Sequence, residues 1–131
     1  MVGGRWWVKT VGPSSVNNLR IWHEGIAVVK DSYALSGAWP KSELFGLTSQ
    51  VRRAAVSIPS NLAEGRGTGT NPEMARFAQI ALGSLYELDT LLLIAAELKL
   101  SDETAIGPLR DRLSVLSRQI SSFIYKRKVN P

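Results

Sequence analysis

The sequence contains no cysteine and only one histidine, His23. Without cysteine the chain can form neither a disulfide framework nor a thiolate-based metal or catalytic site. A di-iron bundle of the ferritin type needs Glu-x-x-His pairs on two helices, which a single histidine followed by Glu24 cannot supply. The sequence therefore predicts no catalytic residues, no bound metal, no cofactor and no small-molecule substrate.

Long apolar runs are also missing. The longest, residues 91–96, lies between Asp89 and Glu97 and is far shorter than the roughly 20 residues that a membrane span needs. The first 18 residues lack the apolar stretch of a secretion signal. We therefore expect a cytoplasmic protein that does not bind membranes.

Acidic residues are outnumbered, with 11 of them against 16 basic residues and a net charge of +5 in 131 residues. Such an excess permits binding to RNA or DNA. A solvated basic surface is the simpler explanation, so charge alone does not assign a partner.

No useful stretch alternates polar and apolar residues as a half-buried strand would. Apolar residues instead recur at spacings of three and four, the helical pattern, over residues 19–36, from 42–48 to 64, 72–99 and 101–128. The predicted row in the first helix is Leu19, Trp22, Ile26, Val29 and Tyr33. Residues 1–17, rich in Gly, Pro and Ser, predict a flexible extension. Short loops between four helices predict an all-α, up-and-down four-helix bundle over residues 18–128.

Glycines and prolines set the predicted helix limits. Pro59 lies inside an unbroken apolar row and predicts a kink within one helix, which Gly65 then ends after Glu64. Asn71 is the expected cap of the third helix, with Pro72 its first residue. Pro108 leaves two alternatives open: a kink in one long helix, or a helix that begins at Pro108 after a separate turn.

The third predicted helix is apolar on more than one side. Its main row is Met74, Phe77, Ala81, Leu85, Leu88, Leu92 and Ala95. Further apolar residues lie outside the main rows of helices two and three: Phe45, Val56, Leu82, Tyr86, Leu93 and Ile94. A contiguous exposed patch of this kind is unusual in a monomer, so these residues predict the interface of a cyclic homo-oligomer. Gly83, mid-helix, predicts a close helix–helix contact in the bundle or in its assembly.

Three parts of the sequence resemble one known family, the four helix bundle proteins, also called 23S rRNA-intervening-sequence proteins. They are Trp22, the stretch from Pro40 to Gly65 with its GLTSQVRRAAVSIPSNLAEG run, and residues 76–88 with Arg76-Phe77 and IALGSLYEL. The resemblance covers about residues 18–127. Residues 1–17 and Gly107-Pro108 depart from it.

That resemblance implies an up-and-down bundle assembled as a homopentamer, with no enzymatic activity. Members can be encoded inside spacers of bacterial ribosomal RNA genes. A distant relative of similar architecture, the accessory protein of diversity-generating retroelements, resembles a basic pentameric barrel that contacts nucleic acid.

Basic side chains are the candidates for such a contact: Arg52, Arg53, Arg66, Arg76, Lys126, Arg127 and Lys128. Because the arginine fork binds carboxylate as well as phosphate, Arg52 and Arg53 are also predicted to form interhelical or intersubunit hydrogen bonds, for example with Glu64 or Glu87. The helix dipole alone would explain basic residues at the chain's last helical turn. Two functions stay open: a non-catalytic, weak and non-specific RNA binder, and a structural oligomer that scaffolds a protein partner.

Overall fold

Four helices in an up-and-down arrangement make up the part of the chain that the structure, a computed structural model, describes, residues 19–130. They are α1 (Arg20–Ser36), α2 (Leu47–Thr68), α3 (Asn71–Glu97) and α4 (Glu103–Val129), with a short 3-10 turn at Lys41–Glu43. Each helix packs on its neighbour in sequence, and α1 closes the bundle against α4. The predicted all-α, up-and-down arrangement of four helices is confirmed, whereas the predicted extension over residues 1–17 lies outside the described residues.

The core is built by the apolar rows of α2, α3 and α4, as their spacing predicts. Ile58, Leu88, Leu92, Leu113 and Ile120 are almost completely inaccessible to solvent. Burying one such side chain is worth about 1.5–3 kcal/mol. The bundle therefore derives most of its stability from these three rows.

The buried face of α1 differs from the predicted one. Ile21, Gly25, Val28, Ser32 and Ser36 face the core, whereas Tyr33 is exposed and Ile26 and Val29 are only partly buried. Helix α1 is turned this way because its small residues let it approach α2 closely. A Cβ atom on Gly25 would lie 3.2 Å from the Cβ of Pro59, so only glycine fits there without displacement.

Helix α2 accommodates Pro59 and continues past its predicted end. It is one helix, as predicted, but it ends at Thr68 rather than at Glu64. Gly69 provides the left-handed residue that stops it, with φ of 76°. Gly65 does not end the helix but lies buried between α2 and α3, where a Cβ would be 2.9 Å from the Cβ of Phe77.

Helix α3 begins one residue earlier than predicted. Its N-cap is Thr70, not Asn71, and the Thr70 hydroxyl accepts a hydrogen bond from the Glu73 amide at 3.3 Å. Helix α3 ends at Glu97 rather than Lys99, because the chain turns at Lys99 with φ of 60°.

Helix α4 settles the alternatives that Pro108 left open. One helix runs from Glu103 to Val129 with Pro108 inside it. Pro108 lies in the second turn and is exposed, so its missing N–H costs a single hydrogen bond at the surface. The Asp102 carboxylate caps this helix by accepting from the Ala105 amide at 3.0 Å.

Removing that cap should destabilise the protein modestly. We expect Asp102→Ala to lower the free energy of unfolding by about 1 kcal/mol, since the Ala105 amide loses its side-chain acceptor and keeps only the backbone carbonyl of residue 102. Urea denaturation at fixed protein concentration measures the change. Thr104→Ala, an exposed substitution in the same turn, is the control. An equal loss in both variants would show that the cap contributes nothing.

Two hydrogen bonds between sequence-distant residues tie the ends of the bundle. At one end the Trp39 indole N–H donates to the Ser101 hydroxyl at 2.6 Å, joining the α1–α2 and α3–α4 connections. At the other end the Asn71 side-chain amide donates to the backbone carbonyl of Asn130. The second end therefore brings together the start of α1, the end of α2, the start of α3 and the end of α4.

Candidate nucleic-acid interface

The two ends of the bundle differ in charge. The half that holds the start of α1 and the end of α4 has seven basic and three acidic residues, a net charge of +4. The opposite half, over the remaining described residues, has seven basic and eight acidic residues, a net charge of −1. We call the first half the basic end; its cationic residues are Arg20, Arg66, Arg76, Arg118, Lys126, Arg127 and Lys128.

Arg127 is a partly buried cation of the basic end. Its guanidinium lies over the Phe123 ring, 3.9 Å from the ring centroid, and its Nε is buried without a hydrogen-bond partner among the described residues. Burial lowers the pKa of Arg127 below its ordinary value, and the nearby positive charge of Arg66 lowers that pKa further. Two cations thus lie near each other, and neither forms an ion pair within residues 19–130.

Arg127 also lines an open groove between α3 and α4. The groove has a volume of 660 Å³, and Arg76, Gln79 and Lys128 line it together with Arg127. These side chains provide hydrogen-bond donors on an apolar floor that includes Ala75 and Ile80. Such an arrangement can bind an anionic oxygen group such as a phosphate.

Arg76 differs from the other cations because its charge is already balanced. Its Nε and Nη2 each donate to the Glu73 carboxylate at 3.1 Å. These hydrogen bonds lower the pKa of Glu73 and raise that of Arg76. Within residues 19–130 no other cation of the basic end forms an ion pair.

Arg52 and Arg53 lie in the opposite half, so the structure does not group them with the other candidates. The Arg52 Nε donates to the Ser36 hydroxyl at 2.9 Å, and its guanidinium lies 4.5 Å from the centre of the Tyr33 ring. Arg53 is exposed. The predicted pairing of either arginine with Glu64 or Glu87 is wrong within one chain, where the described ion pairs involve other residues.

Arg20 and Arg118 belong to the basic end but were not among the predicted residues. They line a groove between α1 and α4 together with Lys126 and Arg127. Neither belongs to a run of basic residues in the sequence. Arg20 and Arg118 could have been found by assuming the up-and-down order and then counting the charged residues at each end of the bundle.

The comparison with known proteins identifies the family. The sequence model of the 23S rRNA-intervening sequence protein matches residues 17–122, which is most of the chain. This chain belongs to the 23S rRNA-intervening sequence protein family. The family indicated by the sequence resemblance is therefore confirmed. No curated protein matches the chain.

Most of the apolar residues predicted to form an interface lie on the outside of this family member. Phe45 is 94% exposed, and Val56, Tyr86, Leu93 and Ile94 are each at least 40% exposed. The prediction that Leu82 lies on the outer surface is wrong within the bundle, because Leu82 is only 7% exposed. It belongs to the buried face of α3, together with Ala81 and Leu85.

Gly83 is exposed on α3, and a Cβ built on it would meet nothing within 4 Å. The prediction of a close helix–helix contact at Gly83 is therefore wrong within the bundle. A close contact at Gly83 in an assembly stays a prediction.

By length and composition, one of the described helices, Asn71–Glu97, is apolar enough to cross a membrane. Its ten buried residues form its core-facing row. Across the described part of the chain, no group of three or more His, Asp or Glu side chains is placed to hold a metal ion.

Proposed function

We propose that this family member is a non-catalytic, oligomeric protein of the cytoplasm that binds RNA weakly and without sequence specificity through the basic end of its bundle. The observation that supports this most is the pair Arg66 and Arg127, two neighbouring cations without a carboxylate partner. A phosphate bound in the grooves that Arg127 lines would supply the missing negative charge.

Weak affinity and low specificity follow from the chemistry at this end. The donors are long, mostly exposed basic side chains, which contact phosphates rather than base edges. The main source of affinity is then the release of counterions from the RNA. Presenting several basic ends in one oligomer would raise the overall affinity without adding a new kind of contact.

Fluorescence anisotropy with a labelled 20-nucleotide single-stranded RNA tests the proposal. If about three phosphates are contacted, affinity should fall by roughly tenfold or more between 50 and 200 mM NaCl. A DNA strand of the same sequence should bind in a similar range, because phosphates are common to both.

A matched pair of triple variants tests the location. Arg66→Gln, Arg127→Gln and Lys128→Gln together should weaken binding at 50 mM NaCl by at least about tenfold, since most of the phosphate contacts are lost. Lys30→Gln, Lys41→Gln and Lys99→Gln remove the same charge from exposed positions in the opposite half and should change the affinity much less. Equal losses in both triples would overturn the assignment to the basic end. No binding even at 50 mM NaCl would overturn RNA binding and favour the protein scaffold.

A further inference from the structure

The outer face of α3 carries a regular row of exposed residues that is apolar and acidic. Its members, spaced at three and four, are Ile80, Gly83, Glu87, Thr90, Ile94 and Glu97. The only charges in this row are two carboxylates. We call it the α3 row. Tyr86 and Leu93 lie beside it and are also exposed, so the face combines apolar surface with negative charge.

An open groove between the end of α1 and the start of α2 has the opposite charge. Its volume is 680 Å³, and its lining includes Tyr33, Phe45, Arg52, Arg53 and Val56 but no acidic residue. We call it the α1–α2 groove. Phe45 stands at its edge with almost its whole side chain in solvent.

The central charge of each surface lacks an ion-pair partner in its own chain. Over residues 19–130, neither Arg53 nor Glu87 takes part in an ion pair. Arg52, in contrast, is already held by Ser36 and Tyr33. The unpaired arginine and the unpaired carboxylate each lie beside exposed apolar side chains, which is the pattern expected of two complementary surfaces.

We propose that a second copy of this chain docks its α3 row into the α1–α2 groove, with Arg53 of one copy paired with Glu87 of the next. The proposal rests on the oligomeric part of the proposed function and names the surfaces that form the contact. Because the two surfaces are different parts of one chain, the contact is head-to-tail. Such contacts form a ring where the rotation from one copy to the next closes, and an open filament where it does not.

Gly83 gives this contact its shape. The open space above Gly83 leaves room for an apolar side chain of another copy against the backbone of α3, at a position where glycine costs about 1 kcal/mol relative to alanine. Val56 is an exposed apolar side chain of the groove, and it lies one turn beyond Arg53 toward the basic end, as Gly83 lies one turn from Glu87 in the same direction. We place the Val56 side chain of one copy over Gly83 of the next.

Charge reversal tests the ion pair. Arg53→Glu and Glu87→Arg should each weaken assembly at least tenfold, whereas the double variant should recover most of the wild-type assembly. Sedimentation velocity at micromolar concentration measures the mass, and circular dichroism checks that the variants remain helical. Lys30→Glu, an exposed reversal outside both surfaces, should leave assembly unchanged.

Crosslinking tests the contact at Gly83, because a chain without cysteine has no competing thiol. Val56→Cys protein mixed with Gly83→Cys protein should form a disulfide-linked dimer under mild oxidation. Val56→Cys mixed with Thr104→Cys should give far less.

The results of these experiments distinguish the docking proposal from the proposed function. A monomeric wild-type protein would overturn both the docking and the oligomeric part of the proposed function, while RNA binding would be judged by its own titration. A wild-type oligomer whose mass is unchanged by Arg53→Glu and Glu87→Arg, or that gives no preferential crosslink, would overturn the docking alone. An oligomer that recovers in the double variant and crosslinks as described would establish it.

Discussion

Gly65→Leu should destabilise the bundle by about 3 kcal/mol, near the upper end of the usual range for overpacked cores. Even the first added carbon would lie 2.9 Å from the Cβ of Phe77 and 3.2 Å from the Cα of Met74. The second of these atoms belongs to the backbone of α3 and cannot rotate away. Relief therefore requires α2 and α3 to separate, and these two helices share the most extensive contact in the bundle.

Thermal denaturation followed by circular dichroism, at one fixed protein concentration, measures this effect. For a protein of this size a loss of about 3 kcal/mol lowers the Tm by roughly 10 °C. Gly67→Leu is the matched control, because it lies two residues further along α2 and nothing approaches its Cβ position within 4 Å. Since leucine is the better helix former, the control should gain up to about 0.8 kcal/mol. Equal Tm values for the two variants would contradict the close contact at Gly65.

Gly25→Leu should cost about 2 kcal/mol through the second close approach, between α1 and α2. The new Cβ would lie 3.2 and 3.3 Å from the Cβ and Cδ atoms of Pro59 and 3.4 Å from its Cα. The proline ring is rigid, so the strain must be relieved by moving α1.

A double-mutant cycle identifies Pro59 as the source of that cost. Gly25→Leu should be at least about 0.5 kcal/mol less harmful in a Pro59→Gly background, which lacks the Cβ and Cδ atoms that crowd position 25, and such a coupling is typical of residues in direct contact. Urea denaturation of the four proteins at one concentration provides the free energies. Gly107→Leu, in open space on α4, controls for the change from glycine to leucine. Identical costs with and without Pro59 would show that the two residues do not interact.

The rows of α2, α3 and α4 could be predicted from sequence because large aliphatic residues mark their buried faces. Leu88, Leu113 and Ile120 leave no ambiguity about which side faces inward. Spacing alone was also sufficient for the number and order of the helices. The continuity of α2 through Pro59 followed from the apolar register that extends to Leu62.

The face of α1 could not be predicted in the same way, since small and polar residues occupy it. Ser36 is buried because its hydroxyl donates to the Ser32 carbonyl at 2.7 Å and accepts from Arg52. A periodicity argument treats such serines as surface and chooses Tyr33 instead. The prediction for Gly65 fails for a similar reason. Local sequence indicates that this glycine ends the helix, whereas in the structure it lets α2 and α3 pack closely.

The candidate site was predictable in part. Three consecutive basic residues, Lys126, Arg127 and Lys128, are visible in the sequence, as is the glycine-rich connection beside Arg66. Their proximity is a property of the up-and-down order, which returns the end of α4 to the α2–α3 connection. Arg52 and Arg53 were grouped with them by residue type alone, and the length of α2 separates them.

The contact between Gly25 and Pro59 also restricts how the helices can slide. Neighbouring helices in a bundle can shift by one turn, about 5.4 Å, when equivalent aliphatic residues replace one another at the contact. In α1 such a shift would bring Ile21 or Val29 over the Pro59 ring, where a Cβ alone is already crowded. A shifted packing would therefore push α1 away from α2, so one glycine and one proline favour a single vertical alignment of the two helices.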